Sequence, residues 1–151
     1  MHVVLFQPEI PPNTGNVARL CAAMQVSLHL IEPLGFKLED RYLKRAGLDY
    51  WPHGDMAVGP DLDAYIRNSG AGRRLVLTSA RRGAALHRFE FTENDSLVFG
   101  RETSGLPPEV IGLSPHHVRI PIKGEVRSIN LSTAAGIVLF QALVSAGLVG
   151  E

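Results

Sequence analysis

Cysteine is nearly missing: Cys21 stands alone among 151 residues. No disulfide can close within the chain, which suits a reducing, cytoplasmic compartment. Neither sign of charge is in excess, with 15 Lys and Arg against 15 Asp and Glu. A protein that coats nucleic acid indiscriminately usually carries a basic surplus. Metal-ligand spacing is lacking too: His2, His29, His53, His87, His116 and His117 have no spaced partners, so no metal is expected. The opening Met1-His2-Val3-Val4-Leu5-Phe6-Gln7-Pro8 has no basic n-region and no small-residue cleavage site, so no signal peptide is read. Repeats and low-complexity tracts are absent. One long stretch, Ile129 to Gly150, has no charge over 22 residues. That length could span a bilayer. Asn130, Ser132, Thr133, Gln141 and Ser145 interrupt it, however, and favour a helix buried nearly all round, in the core or in a dimer interface.

What is present is an ordinary globular composition, 45% apolar and 20% charged. The length suits one domain over residues 1–151, able to bury a core without staples. Strand and helix patterns alternate. Strands are expected at His2–Phe6, Ser27–Ile31, Arg74–Ser79, Ser96–Gly100 and His117–Pro121. Helices are expected at Asn13–Gln25, opened by the cap-type pair Asn13-Thr14, and at Glu39–Ala46, Asp61–Asn68, Pro107–Leu113 and Ile129–Leu148. This order implies an α/β domain with a mainly parallel sheet flanked by helices. Ligands of such sheets bind at the carboxyl ends of the strands. Basic residues cluster at Arg41, Lys44 and Arg45, at Arg73-Arg74, at Arg81-Arg82, and at Arg119, Lys123 and Arg127. Each cluster reads either as a solvated face or as a phosphate site.

Three segments carry chemistry-bearing side chains. In Asn13-Thr14-Gly15-Asn16-Val17-Ala18-Arg19, the residues Asn13, Asn16 and Arg19 recur every third position and share a face near a helix start. A helix start attracts anions; a helix cap would also explain Asn13. Leu97 to Pro107 is a buried strand running into a glycine loop. Gly100 and Gly105 have Walker spacing, but Leu106 and Pro107 replace the lysine and hydroxyl, so this is no triphosphate loop. Ile120 to Ser132 is a strand end, a charged loop, and the polar side chains Ser128, Asn130 and Ser132 at the opening of the uncharged helix. Helix capping or ligand contact would use those side chains equally well. Cys21 reads as a small core residue. Tyr50 and Trp51 could stack on a base or close the core.

Together these segments resemble the SPOUT methyltransferases, the superfamily with a deep trefoil knot. The similarity is greatest to the TrmL group, which methylates the 2′-hydroxyl of the wobble nucleotide in leucine transfer RNA. The resemblance runs through Pro8-Glu9-Ile10-Pro11-Pro12-Asn13-Thr14-Gly15-Asn16, Ile31-Glu32-Pro33-Leu34-Gly35-Phe36 and Arg45-Ala46-Gly47-Leu48-Asp49-Tyr50. It covers nearly the whole chain. The second segment departs from the pattern, because its arginine, Arg101, sits three positions earlier than in many relatives. Phe140 and Thr133 stand where relatives often have tyrosine and asparagine.

The resemblance implies a C-terminal knot and a homodimer built on the first-segment helix and the last helix. It implies S-adenosylmethionine as cofactor, S-adenosylhomocysteine as product, and cofactor contacts at Leu77, Thr78, Gly100, Glu102, Gly105, Ile120, Ser128 and Leu131. Asn13, Asn16, Arg19, Arg41, Arg45 and Arg127 would meet RNA. Arg19, Ser128 and Asn130 would be catalytic. Free guanidinium stays protonated, so Arg19 is expected to stabilise a developing alkoxide and hold a phosphate that could take the proton. Ser128 and Asn130 would orient the ribose. Competing readings are methylation of a base, 2′-O-methylation of ribosomal RNA, and a non-catalytic RNA-binding dimer.

Overall fold

The computed structural model describes residues 1–46 and 55–150. Tyr50, Trp51 and His53 lie outside the described residues, as does most of the segment that begins at Arg45. Seven strands form one sheet: β1 His2–Phe6, β2 Ser27–Ile31, β3 Met56–Gly59, β4 Arg74–Thr78, β5 Ala84–Ala85, β6 Asp95–Phe99 and β7 His117–Arg119. Their order is β3-β2-β1-β6-β4-β7-β5, and neighbouring strands run parallel. The expected parallel α/β sheet is therefore found.

Alternation along the strands divides the core in two. Val3 and Leu5 of β1, Leu97 and Phe99 of β6, and Val76 of β4 face α1 (Pro11–Met24) and α5 (Leu131–Ser145). Val4, Phe6, Val98 and Leu77 face α3 (Leu62–Arg67) and α4 (Pro108–Ile111), meeting Leu62, Tyr65 and Val110. The short helix α2 (Arg41–Ala46) packs on α1. Arg74 pairs side-on with the fully buried Asp95, both nitrogen–oxygen distances being 2.7 Å, and bolts β4 to β6. One member of the Arg73-Arg74 cluster is thus structural.

The structure corrects one expectation and narrows another. Helix α1 begins at Pro11, not at Asn13. Prolines suit its first two positions, where a missing N–H loses no helical bond. Asn13 and Thr14 are buried in the first turn and do not cap it. Helix α5 is buried in the core on one side only. Ala135, Val138, Leu139, Ala142 and Leu143 are buried, while Ile137, Phe140 and Val144 on the other side are 42%, 51% and 49% exposed. Among the described residues no helix is long and apolar enough to cross a membrane.

Candidate active site

The strand order reverses its direction of growth beside β1: β2 and β3 extend one way, and β6, β4, β7 and β5 the other. Carboxyl ends of strands near such a reversal make a crevice. Here the loops after β6, β4 and β7 enclose a cavity of about 700 Å³, within the range of small-molecule sites. It gathers Thr78, Gly100, Glu102, Gly105, Ile120, Ser128 and Leu131, seven of the eight expected cofactor residues. Leu77 is not among the lining residues; its side chain is fully buried in the core on the α3–α4 side. Asn13, Asn130 and Arg127 also line the cavity.

The glycine loop is shaped by its own backbone. Arg101 and Gly105 exchange N–H···O bonds of 3.3 and 2.9 Å. Gly105 has φ +69°, a conformation that disfavours side chains. A Cβ on Gly100 would lie 2.4 Å from the Gly105 carbonyl carbon. The Thr78 hydroxyl donates to the Val98 carbonyl at 2.9 Å, so that side chain ties β4 to β6.

A clasp joins this loop to the start of α1. The Glu102 carboxylate accepts from the backbone N–H groups of Glu9 at 2.9 Å and Ile10 at 2.7 Å, and from the Asn13 amide at 3.4 Å. Ile10 is the N-cap residue of α1 and makes no side-chain cap of its own. Glu102 thus supplies, from another loop, the anion that a helix N-terminus favours. In return the Glu9 carboxylate accepts from the backbone N–H and hydroxyl of Thr103, at 3.0 and 2.8 Å. Those bonds, the backbone one first, hold Glu9 below the usual carboxylate range. Arg101 donates to the Gln7 side-chain oxygen, 2.8 Å from Nε, and lies 5.1 Å over the Phe6 ring. The Ile31–Phe36 segment braces the same place: the Gly35 N–H donates to the Pro8 carbonyl at 2.9 Å.

Asn130 caps α5. Its side-chain oxygen accepts from the N–H groups of Ser132 at 2.9 Å and Thr133 at 3.3 Å, and from the Ser132 hydroxyl at 2.6 Å. Its amide nitrogen is the atom left for a ligand. Ser128 is exposed at the cavity. Arg19 and Asn16 are exposed on α1 but do not line the cavity. Arg19 stands six residues beyond Asn13, about 9 Å farther along the helix axis. Arg41 and Arg45 are exposed on α2, and Arg41 lies 4.9 Å over the Tyr42 ring.

Charges at the cavity are lopsided. Arg81, Arg82, Arg101 and Arg127 line it, and among the described residues Glu102 is its one acidic residue. Arg81 and Arg82 were legible only as a basic pair; their place follows from β4 lying between β6 and β7. Cys21 is 2% exposed and burial pushes its thiol up to about 12, so no thiolate is available for covalent attack on a base. Among the described residues no group of His, Cys, Asp or Glu could hold a metal.

From residue 1 to residue 140 the sequence matches the model of the SpoU rRNA Methylase family. The chain belongs to that family. The resemblance carried by the three segments holds along nearly the full length of this SpoU methylase. It is 47% identical over 142 residues to the tRNA (cytidine(34)-2'-O)-methyltransferase of Methylovorus glucosotrophus (strain SIP3-4), covering 93% of this chain and 92% of that protein. It is 45% identical over 148 residues to a putative tRNA (cytidine(34)-2'-O)-methyltransferase of Bacillus subtilis (strain 168), covering 95% and 91%. A solved structure described as giving insight into 2-OH methylation of C/U34 on tRNA superposes with TM-score 0.90 at 47% identity, covering 95% of this chain and 94% of that one. An AdoMet-bound rRNA methyltransferase from Sinorhizobium meliloti gives 0.85 at 25% identity, covering 95% and 55%.

Proposed function

We propose that this SpoU methylase transfers a methyl group from S-adenosylmethionine to the 2′-hydroxyl of nucleotide 34, cytidine or modified uridine, of leucine transfer RNA in the cytoplasm. The observation that carries the reading is the cavity, where seven expected cofactor residues from three separate segments meet. The names of the relatives support the substrate class and position.

The cavity suits the cofactor. Ile120, Leu131 and Val138 offer apolar surface, and the Gly100–Gly105 loop offers backbone polar groups close at hand. When bound, S-adenosylmethionine supplies an electrophilic methyl carbon and a good leaving group. The chain must do the rest: bring an oxygen into line with that carbon and ease removal of its proton. The Ser128 hydroxyl and the Asn130 amide nitrogen orient the ribose at the cavity mouth. Glu102 does not act as base, because its carboxylate is held by two backbone N–H groups. Glu125, the acid nearest in sequence, is exposed and does not line the cavity. Both facts weigh against base methylation by a carboxylate.

Arg19 stabilises the developing alkoxide and holds a substrate phosphate, whose oxygen takes the hydroxyl proton as the methyl carbon bonds to the ribose oxygen and leaves the sulfur. Because it does not line its own chain's cavity, the reading brings it from a second copy. The exposed Ile137, Phe140 and Val144 of α5, which packs on α1, provide an apolar face for such a homodimer. Asn16, Arg41 and Arg45 extend the RNA surface, while Asn13, held to Glu102, positions the helix start. The trefoil knot is part of the same proposal. It is supported by β7 entering between β4 and β5, and by residues 120–131 closing on the loops after β4 and β6.

The test is methyl transfer from labelled S-adenosylmethionine to unfractionated transfer RNA, digested to nucleosides and read by mass spectrometry. 2′-O-methylated pyrimidine is the expected product. A methylated base would overturn the chemistry, and no incorporation into transfer RNA would overturn the substrate.

A further inference from the structure

The Arg81-Arg82 pair lies on a turn built to hold it. Ser79 continues β4 by donating its N–H to the Val118 carbonyl at 3.0 Å. Its hydroxyl then accepts from the backbone N–H groups of Arg81 at 3.2 Å and Arg82 at 3.1 Å. Gly83 closes the turn with φ +93°, pressed so tightly on β7 that a Cβ would lie 2.1 Å from the His117 carbonyl oxygen. Both ends of the turn are thus fixed, and both arginine side chains are exposed at the cavity mouth.

The neighbouring strands complete an arc of charge. β4 lies between β6 and β7, each about 4.8 Å away, and their loops carry Arg101 and Arg127. The Arg101 guanidinium is engaged by Gln7 and Phe6. Among the described residues no carboxylate pairs with Arg81, Arg82 or Arg127. A chain of zero net charge therefore concentrates three exposed guanidinium groups around one opening. The cofactor carries one carboxylate, which three arginines outnumber. Successive phosphates of a polynucleotide match them, and guanidinium binds phosphate through paired hydrogen bonds.

We infer that Arg81 and Arg82 on the Ser79 turn, with Arg127 on the neighbouring loop, form a phosphate-binding rim that grips the RNA backbone beside the reacting ribose. This rests on the proposed RNA methylation and adds the residues that hold its substrate. The contacts are to the backbone, so they set position and salt dependence rather than base preference.

The experiment compares the wild type with R81Q/R82Q in two titrations: transfer RNA across a salt series, and S-adenosylhomocysteine by calorimetry. Each phosphate contact to single-stranded RNA contributes about 0.7 to the slope of log affinity against log salt. The double variant should lose about 1.4 from that slope. Between 50 and 200 mM salt the wild type should then weaken about 7-fold more than the variant. S-adenosylhomocysteine affinity should stay within about twofold, and R81K/R82K should regain most of the slope, because a phosphate accepts a point charge. An unchanged slope overturns the rim. So does a tenfold loss of S-adenosylhomocysteine affinity with the slope intact, which would give the arginines to the cofactor. If the double variant folds poorly, R127Q gives the same decision with an expected loss of about 0.7. Methyl transfer by the wild type in the same preparation separates the two readings. Normal transfer with an unchanged variant slope sinks the rim alone; no transfer to transfer RNA sinks both.

Discussion

Replacing Glu102 with alanine should loosen the cavity and the start of α1 together. The carboxylate accepts from two backbone N–H groups at 2.9 and 2.7 Å. A hydrogen bond to a charged group contributes about 1.5–3 kcal/mol where it is well shielded, and an anion at a helix start adds about 0.3–1 kcal/mol. One of the two bonds is exposed, so screening reduces the sum, and a net loss of about 2 kcal/mol is expected. For a chain of this size that lowers the melting midpoint by about 4–8 °C. The Glu9–Thr103 bonds remain to hold the loop, so the protein still folds, with weaker S-adenosylhomocysteine binding. Thermal melting and calorimetric titration would be run at one fixed protein concentration, since any self-association makes the midpoint depend on concentration. A midpoint within 1 °C of wild type would refute the clasp.

Three further outcomes follow from single positions. Gly100→Ala should abolish cofactor binding, because its Cβ would lie 2.4 Å from the Gly105 backbone; calorimetry showing wild-type affinity would contradict that. Burial first, then the nearby Arg73, pushes His2 down to about 4. The unfolded chain therefore binds the extra proton, and this share of stability is complete above pH 6.5 and lost as pH falls from 6.5 towards 4. After allowance for solvent screening it is about 1–2 kcal/mol. Urea denaturation of His2→Asn should show a flatter profile across that window. If the exposed side of α5 carries the proposed homodimer, Phe140→Glu there should lower the mass in sedimentation from two copies to one; an unchanged mass would remove that face from the proposed interface.

The interior of the sheet was legible because burial leaves continuous apolar runs, as in Val3-Val4-Leu5-Phe6 and Leu97-Val98-Phe99. Both strands that went unread are edges. Met56–Gly59 is only partly buried, and Ala84–Ala85 is two residues long, so neither leaves a pattern. The site segments were legible as polar breaks after strands, and the cavity gathers most of them. Details that depend on distant partners were not. Asn13 looked like a cap because it is a capping residue type near a helix start. That start is instead stabilised by Glu102, 89 positions away from Asn13. The uncharged C-terminal stretch is legible as a helix buried in the core or in a dimer interface, and it does not say which; within one chain Ile137, Phe140 and Val144 of α5 stay exposed.

Mapping the methyl group decides whether the ribose of nucleotide 34 is the acceptor. Leucine transfer RNA from a strain lacking the activity would be incubated with the protein and S-adenosylmethionine, cut into fragments, and sequenced by mass spectrometry. One added methyl on the ribose of nucleotide 34 is expected. A methyl at any other nucleotide, or on the base, would contradict the proposed reaction.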